Sequence, residues 1–336
     1  MGRIDLLREI CRVSGITSYL WRKLSPGLYV FNYHRIGDPS TAGLDPDVFS
    51  CTEERFAEHV DLIRSRFEVI GVSSLLAMIE AGTTPARPTA MVTLDDGYRD
   101  NFTRAFPVLH AAGTSAVFFV TTSFVGSPHP PWWDEVVWQA GRITPGQIAT
   151  VPWLRDVIVD QPRAQFCRQV LRVFKRSTSP IDEKLGQLRG ATGLTVDASE
   201  GADLFMTWDQ VRSLRQNGMD IGSHSHTHPI LSHLTAAEQR TDLATAKRVL
   251  EAELGEEVSI LAYPVGGRYA YSPDTIEAAR SCGYRAAFTF VPGVNHQPSA
   301  NPLELRRIGV GENDSASNLQ FAIERVAIAG AIGSAR

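Results

Sequence analysis

Residues 90–98 read AMVTLDDGY, an apolar run that ends in two acidic residues and a glycine. The run is short, contains β-branched residues and has no polar face, which is typical of a strand buried on both sides. The glycine favours a tight turn directly after it. The segment therefore predicts a buried parallel strand with polar side chains at its carboxyl end.

Seven further segments have the character of such strands. They are residues 28–34, 67–72, 115–121, 219–224, 258–264, 286–291 and 305–310. Helical patterns lie between them, and several open with a capping box, in which Ser or Thr is followed three residues later by Glu or Gln. These pairs are Ser50–Glu53, Thr207–Gln210 and Thr235–Glu238, and another helix is expected from Pro273 to Gly283. The alternation predicts an α/β fold, either a barrel or a doubly wound sheet.

Residues 126–205 interrupt this alternation. They begin with a proline-rich turn, SPHPPWW at 127–133, and continue as two or three helical patterns without a strand-like run. We expect them to form a helical insertion over one end of the barrel, within a single catalytic domain of residues 1–336.

Composition excludes several classes of protein. The chain has 33 Lys and Arg against 37 Asp and Glu, so its net charge of −4 predicts no basic surface for nucleic acid. No run of about 18 apolar residues predicts a transmembrane segment. The oligomeric state remains unknown from the sequence.

The amino terminus and the cysteines bear on location. Residues 1–25 carry charges throughout and lack the apolar stretch of a signal peptide. The four cysteines, at positions 11, 51, 167 and 282, form no C-x-x-C pair, which favours free thiols in a reducing compartment. We therefore predict a cytoplasmic protein. Leu6, Leu7, Ile10 and Val13 would share one face of a short helix, which either packs on the domain or attaches peripherally to a membrane.

Polar residues collect where the predicted strands end. They are His34, Asp95, Asp96, His224, His226, His228 and the pair Tyr263-Pro264, while Arg306 and Arg307 open the last strand. In an α/β barrel the carboxyl ends of all strands meet at one face, where functional residues gather. We expect these side chains to form one site.

Two of these segments suit metal chemistry. Adjacent side chains on an extended chain point apart, so Asp95 and Asp96 can serve two roles, although a turn or helix cap is the alternative. Residues 223–228 read SHSHTH, and His224 and His228 share a face if the segment turns helically. Two imidazoles and a carboxylate suit a catalytic divalent metal with positions open for water; a surface or core histidine cluster is the alternative.

These segments resemble the polysaccharide deacetylase family, carbohydrate esterase family four, which carries the NodB-homology domain. The family's first motif, T-F-D-D-G, is matched by residues 93–97 except at Leu94, and its second, H-[ST]-x-x-H, is matched in full by residues 224–228. The resemblance covers roughly residues 28–125 and 205–310. It implies a distorted (β/α) barrel of seven or eight strands, with Asp95 as general base and Asp96, His224 and His228 as metal ligands.

The resemblance has two departures. The third motif, R-x-P-Y, reads Ala262-Tyr263-Pro264-Val265, so the arginine that tethers the catalytic Asp is absent, and Arg306 or Arg307 would have to replace it. No carboxyl-terminal L-x-x-H is evident. The early segment Tyr33-His34-Arg35 resembles instead the subgroup with an early Tyr-His-Arg motif, which implies His34 as general acid.

The implied activity is removal of N-acetyl groups from an amino-sugar-containing glycan. Zinc is the expected metal, with cobalt, nickel, iron and manganese left open. A cytoplasmic location would favour a lipid-linked or nucleotide-linked intermediate as the carbohydrate substrate. Two alternatives remain open, namely a metal-dependent deformylase or other amidohydrolase, and an inactive carbohydrate-binding member.

Residues beside the motifs are candidates for substrate contacts. Tyr98, Tyr263 and Pro264 are expected to form pocket walls, and the backbone N–H of Val265 would help hold the oxyanion. Trp133, with Trp132 and Trp138, would either stack on sugar rings or belong to an apolar core.

Overall fold

A parallel sheet organises the computed structural model, which describes residues 21, 23–41, 44–312 and 314–333. Its strands are β1 (Gly27–Tyr33), β4 (Glu68–Val69), β5 (Pro88–Leu94), β6 (Val117–Val120), β7 (Asp220–Ser223), β8 (Ile260–Ala262), β9 (Ala286–Phe288) and β10 (Ile308–Gly309). Two further strands, β2 (Arg35–Ile36) and β3 (Phe49–Cys51), pair only with each other. The strand order is β10-β1-β5-β6-β7-β8-β9, β4 pairs with the first half of β5, and every strand pairing is parallel.

The sheet curls into a distorted barrel. At its open edge, Phe288 in β9 forms a parallel bridge to Leu305, three residues before β10. Every segment predicted as a strand overlaps one of the eight strands of this sheet, which confirms the fold class. Two of its strands, β4 and β10, have only two residues each.

Helices flank the sheet within the described residues. They are α1 (Glu53–Arg66), α2 (Val72–Glu80), α3 (Phe106–Ala111), α4 (Trp132–Ala140), α5 (Pro145–Ile148), α6 (Arg163–Arg176), α7 (Ile181–Thr192), α8 (Trp208–Gln216), α9 (Ala236–Leu254), α10 (Pro273–Ser281) and α11 (Ala316–Gly333). The capping boxes of α8 at Thr207 and of α9 at Thr235 are confirmed.

The capping box predicted at Ser50 and Glu53 is wrong. Helix α1 begins at Glu53, and Thr52 is the residue that caps it, accepting the Arg55 N–H. Ser50 lies in β3, where its hydroxyl accepts the backbone N–H of His34. The Ser50 side chain therefore positions the end of β1 rather than the start of a helix.

Helices α4 to α7 lie between β6 and β7 and share an apolar cluster of their own. Trp132 of α4 stacks on Phe174 of α6 with ring centroids 5.3 Å apart, and Leu188 of α7 is buried in the same cluster. Helices α4 and α6 also reach over the carboxyl ends of the strands, where they line the cavity described below.

Two predictions lie partly outside the described residues. The apolar face at Leu6, Leu7, Ile10 and Val13 falls there, as does Cys11. The other three cysteines are free thiols. None of the described helices combines the length and the apolar character that a membrane crossing requires.

Candidate active site

Asp95 and Asp96 follow β5 at the carboxyl end of the sheet. The Asp95 N–H donates to the carbonyl of Tyr33, continuing the ladder with β1. Asp96 then adopts a φ of 75°, in the left-handed region that non-glycine residues seldom occupy. This turn brings both carboxylates, which an extended strand would point apart, to the wall of one cavity.

The imidazoles of His224 and His228 converge on the Asp96 carboxylate. Its Oδ1 lies 3.3 Å from Nε2 of His224 and 3.3 Å from Nε2 of His228, and it forms no hydrogen bond with any described residue. One ligand atom from each residue can be chosen so that all three lie within 4.8 Å of one another, and all three residues are buried. These separations suit three ligand atoms placed around one shared metal ion rather than three atoms bonded to one another.

The His224 ring is fixed by the neighbouring strand. Its Nδ1 lies 2.8 Å from the carbonyl oxygen of Ala262, at the end of β8. A carbonyl can only accept a hydrogen bond, so Nδ1 carries the proton and Nε2 is directed at Asp96. A backbone carbonyl that fixes the outer ring nitrogen is a common arrangement for a metal-binding histidine.

His228 has an unfavourable backbone conformation and packs against aromatic side chains. It adopts a φ of 53°, and its N–H donates to the Ser225 hydroxyl. The Trp133 ring lies 4.3 Å from the imidazole, centroid to centroid, and the indole N–H of Trp132 donates to the His228 carbonyl. Burial lowers the pKa of His228 more strongly than the adjacent Asp96 raises it. The ring therefore favours the neutral form that a metal requires.

Asp242 holds the loop between the two histidines. From α9, its carboxylate accepts the backbone N–H groups of His226 and Thr227 and the Thr227 hydroxyl, at 2.7–3.1 Å. The His226 ring is turned to the Thr122 hydroxyl, 2.8 Å away, and does not line the cavity. One buried carboxylate thus fixes a segment that has no regular hydrogen-bonding ladder.

Arg307 contacts Asp95. Its Nη1 donates to Asp95 Oδ1 at 2.8 Å and to the Asn32 side-chain oxygen at 2.8 Å, while its Nε donates to the Thr289 carbonyl. Because β10 pairs with the carboxyl half of β1, Arg307 reaches the layer of Asp95. Burial raises the pKa of Asp95, but the Arg307 guanidinium, with His224 and His34, outweighs it and keeps that pKa below its usual value.

The two carboxylates are both ionised, for different reasons. Burial raises the pKa of Asp96, yet the imidazoles of His224 and His228 reverse the effect and hold it well below the ordinary range. Asp95 owes its charge mainly to Arg307 and lies farther from the imidazoles, with its Oδ2 3.9 Å from His224 Nε2. Asp95 thus remains available to act as a base beside the three-residue cluster.

His34 lines the same cavity from the end of β1. Its backbone is fixed at both sides, since its N–H donates to Ser50 and its carbonyl accepts from Asn101. Its ring contacts Phe290 edge-on, at 6.2 Å between centroids. Burial lowers the pKa of His34, and the carboxylates of Asp96 and Asp95 only partly oppose this.

These residues line a cavity of about 420 Å³. The sequence-predicted residues among its walls are His34, Asp95, Asp96, Trp132, Trp133, His224, His228, Tyr263, Val265 and Arg307. A larger cavity of about 660 Å³ lies between the helices after β6 and the segment 227–234, but it contains none of the clustered carboxylates or imidazoles. The chemistry therefore belongs to the smaller cavity.

Two predicted pocket walls do not reach the cavity. Tyr98 is fully buried, and its hydroxyl accepts the Trp133 indole N–H at 3.0 Å, so it supports Trp133 from behind. Pro264 is buried and does not line the cavity, whereas its neighbours Tyr263 and Val265 do. Trp133 reaches the cavity but is only 5% exposed, since it packs on His228.

Backbone strain is concentrated at this site. Among the described residues, five non-glycine positions have a positive φ, and four of them are Asp96, Ser225, His228 and Val265. A β-branched residue is especially costly there, so Val265, with a φ of 62°, marks a segment held by its surroundings. Such strain is a recurrent property of catalytic and ligand-binding sites.

Sequence reasoning missed several cavity residues. Tyr269 and Phe290 are 45% and 41% exposed at the cavity wall, unlike the buried tryptophans. Asp45 and Asp47, before β3, and Leu171 and Lys175, in α6, also line it, as do Val48 and Gly267. These residues carry no local motif, and only the tertiary fold brings them together.

The donor set fits a divalent cation. Among the described residues, the buried Asp96 Oδ1 and His228 Nδ1 have no hydrogen-bond partner, and an unpaired buried carboxylate oxygen needs a positive partner. One carboxylate and two imidazole nitrogens on a cavity wall match a catalytic site for zinc or a similar ion, with positions left for water and substrate.

Comparison with known proteins gives a consistent family. The family model for polysaccharide deacetylase matches residues 82–287. YxkH of Bacillus subtilis (strain 168), which is named as a polysaccharide deacetylase, is 20% identical over 266 residues, or 79% of this chain and 67% of its own length.

Solved structures share the fold. The Streptococcus pyogenes deacetylase PplD in complex with acetate has a TM-score of 0.58 at 17% identity, covering 89% of this chain and 99% of its own. IcaB from Ammonifex degensii has a TM-score of 0.56 at 19% identity, covering 89% and 98%. A de-N-acetylase from Aggregatibacter actinomycetemcomitans has a TM-score of 0.56 at 16% identity, covering 88% and 99%.

Proposed function

Because the chain belongs to the polysaccharide deacetylase family, whose members hydrolyse N-acetyl amide bonds in glycans, we propose that it is a metal-dependent N-deacetylase with its active site at Asp95, Asp96, His224 and His228. The observation that carries this proposal is the Asp96 carboxylate oxygen, buried between two imidazole nitrogens and without a hydrogen bond in the part of the chain that the structure describes. A second carboxylate lies beside it with a charged partner of its own.

Asp96, His224 and His228 would hold the cation. A divalent ion in this position polarises an amide carbonyl and makes a nearby water more acidic. Zinc is the expected ion on the basis of the two imidazoles and one carboxylate, with cobalt, nickel, iron and manganese as alternatives to be tested.

Asp95 would accept the proton of the attacking water. Arg307 keeps this carboxylate ionised and oriented by the contact at Oδ1, which leaves Oδ2 for the proton. This is the contact that a tethering arginine of the third motif would make, supplied from a different strand. The backbone N–H of Val265 is our candidate donor to the developing oxyanion.

His34 would donate a proton to the leaving amine. Its lowered pKa makes the protonated imidazole a stronger acid than an exposed histidine. His34 and Asp95 line the same cavity, so the nitrogen of a bound sugar would lie within reach of both the acid and the base.

The sugar would lie against the exposed aromatic side chains. Tyr269 and Phe290 offer ring surface at the cavity wall, and aromatic faces pack well against the apolar face of a pyranose. The proposed substrate is a glycan or glycan intermediate that carries N-acetylated amino sugars, and a cytoplasmic or membrane-peripheral location remains a prediction.

Acetate release from a panel of N-acetylhexosamine oligomers tests the proposal. The wild-type protein should release acetate when zinc, cobalt, nickel, iron or manganese is added, and chelation should abolish release. A formamide-bearing sugar belongs in the panel, because its turnover without acetate release would show a deformylase instead. No turnover of any amide by fully metal-loaded protein would contradict the proposal.

A further inference from the structure

Lys175 reaches the active-site cavity from the helical segment between β6 and β7. It lies four residues after Leu171 on α6, and both side chains line the cavity on one face of that helix. The Lys175 ammonium lies 5.9 Å from the centroid of the Trp132 ring. A half-buried cation therefore faces the space beside the proposed catalytic residues.

Three of the four carboxylates at this wall have partners. Asp95 is bound by Arg307, Asp47 lies 3.4 Å from Arg168, and the Asp45 carboxylate accepts the Asp47 N–H. Within the described ranges, Lys175 makes neither an ion pair nor a hydrogen bond, and its ammonium lies over the indole of Trp132. Retaining such an ammonium is costly unless a ligand supplies the missing anion.

The nearby carboxylates do not neutralise the Lys175 ammonium. Burial lowers the pKa of Lys175, although the carboxylates of Asp45 and Asp96 oppose the effect. Burial also raises the pKa of Asp45 to about 6, which weakens it as a counter-charge. If Asp96 holds a divalent cation, as proposed above, its charge is also no longer available to Lys175.

We infer that Lys175 binds an anionic group of the substrate, a carboxylate or a phosphate, carried by the glycan beside its acetamido sugar. The inference rests on the proposed deacetylase function and extends it to the charge of the substrate. The competing explanation is that the Lys175 stem only packs on Trp132 while its ammonium reaches solvent, in which case substrate charge has no effect.

Steady-state kinetics on three N-acetylated substrates tests this. Chitotetraose, used here in its fully N-acetylated form, is neutral. A heparosan tetrasaccharide carries carboxylates and UDP-N-acetylglucosamine carries phosphates, so these two substrates distinguish the sources of the anion. Wild type, Lys175→Met, Lys175→Arg and Arg172→Met are compared, because Arg172 is an exposed cation on the same helix that does not line the cavity.

We expect Lys175→Met to raise KM about tenfold for one or both anionic substrates, with kcat and the chitotetraose reaction changed less than about twofold. Lys175→Arg should restore most of the loss, and Arg172→Met should behave as wild type. The wild-type preference for the anionic substrate should weaken with added salt.

The inference would be overturned if Lys175→Met had equal effects on neutral and anionic substrates. It would also be overturned if the wild type turned over chitotetraose alone. Either result would leave the proposed deacetylase function intact. If metal-loaded wild type releases acetate from none of the three, the proposed function fails and the inference fails with it. Thermal unfolding of each variant verifies that it is folded.

Discussion

Arg307 stabilises the ionised form of the Asp95 carboxylate and fixes its orientation. It is almost fully buried and donates from one guanidinium to Asp95, Asn32 and the Thr289 carbonyl. A planar guanidinium can hold three acceptors in fixed directions, which a lysine ammonium on a flexible stem cannot reproduce. The sequence suggested Arg306 or Arg307 as a replacement for the missing motif arginine, and in the structure only Arg307 contacts Asp95.

Replacing Arg307 should therefore impair the proposed base. We predict that Arg307→Ala lowers kcat by about 100-fold, because Asp95 loses its orientation and its counter-charge. Arg307→Lys should recover part of the loss. The matched control is Arg306→Ala, since Arg306 is exposed. Wild-type kcat in a folded Arg307→Ala protein would remove Arg307 from the mechanism.

The site residues differ in how far the sequence could predict them. Asp95, Asp96, His224 and His228 belong to short motifs whose chemistry is visible locally, and the structure brings them to one cavity. Tyr98 is adjacent to a motif, but the φ of 84° at Gly97 precedes a side chain that points into the apolar cluster rather than into the cavity. A position next to a motif therefore does not predict that a side chain lines the cavity.

At the scale of elements, the loop after β7 depends on α9. Asp242 lies 16 residues beyond His226, on a helix whose other buried residues are mostly apolar, so nothing local predicts that it holds the His224–His228 segment. Lys175 and Tyr269 escaped prediction for the same reason, because their roles depend on where α6 and the segment after β8 meet the sheet.

Asp242 should control metal affinity without touching the metal. We predict that Asp242→Ala weakens zinc binding about 10- to 100-fold, because three hydrogen bonds that fix the loop between the histidines are lost. Competition with a chromophoric chelator measures the affinity. Thr241→Ala, on the exposed side of the same helix, should bind zinc as wild type does. Equal affinities for all three proteins would refute the prediction.

The first turn of α4 contains a carboxyl group with a raised pKa. Asp134 is buried; one carboxyl oxygen accepts the Asp45 N–H, and the other has no hydrogen-bond partner within the described ranges. Burial raises its pKa to about 8, so the folded state retains a proton that the unfolded chain releases near pH 4. The contribution to stability is complete at low pH and is lost as the pH rises toward 8.

Asp134→Asn should remove this pH dependence, because the amide oxygen can still accept from Asp45. We predict that the free energy of unfolding of Asp134→Asn, relative to wild type, increases between pH 5 and pH 7, by at most about 1.4 kcal/mol per pH unit. Urea denaturation of both metal-free proteins across this range measures the difference. A constant difference would show that Asp134 titrates normally.

At the scale of the molecule, the barrel could be predicted and its details could not. Each of the eight strands of the main sheet overlaps a segment that is mostly apolar on both faces, a pattern that local sequence carries. The small β2–β3 sheet and the Phe288–Leu305 bridge leave no such pattern, because two- and three-residue strands are set by tertiary contacts. The limits of the catalytic domain and of its insertion at 126–205 remain predictions.

Metal binding should stabilise the whole fold, since its proposed ligands come from the ends of β5 and β7. We predict that zinc at about 100 times its Kd adds about 2.7 kcal/mol to the free energy of unfolding. The thermal midpoint should therefore rise with zinc in the wild type and not in Asp96→Asn. An equal rise in both proteins would place the ion elsewhere.

The separation of base from metal ligand is the central claim, and Asp95→Asn tests it most directly. The measurement is acetate release from an N-acetylated glycan by purified Asp95→Asn protein whose bound metal has been quantified. We predict wild-type metal content with turnover lowered by at least about 1,000-fold, because the neutral amide cannot accept the water's proton. Wild-type turnover at full metal content would contradict the assignment of Asp95 as the base.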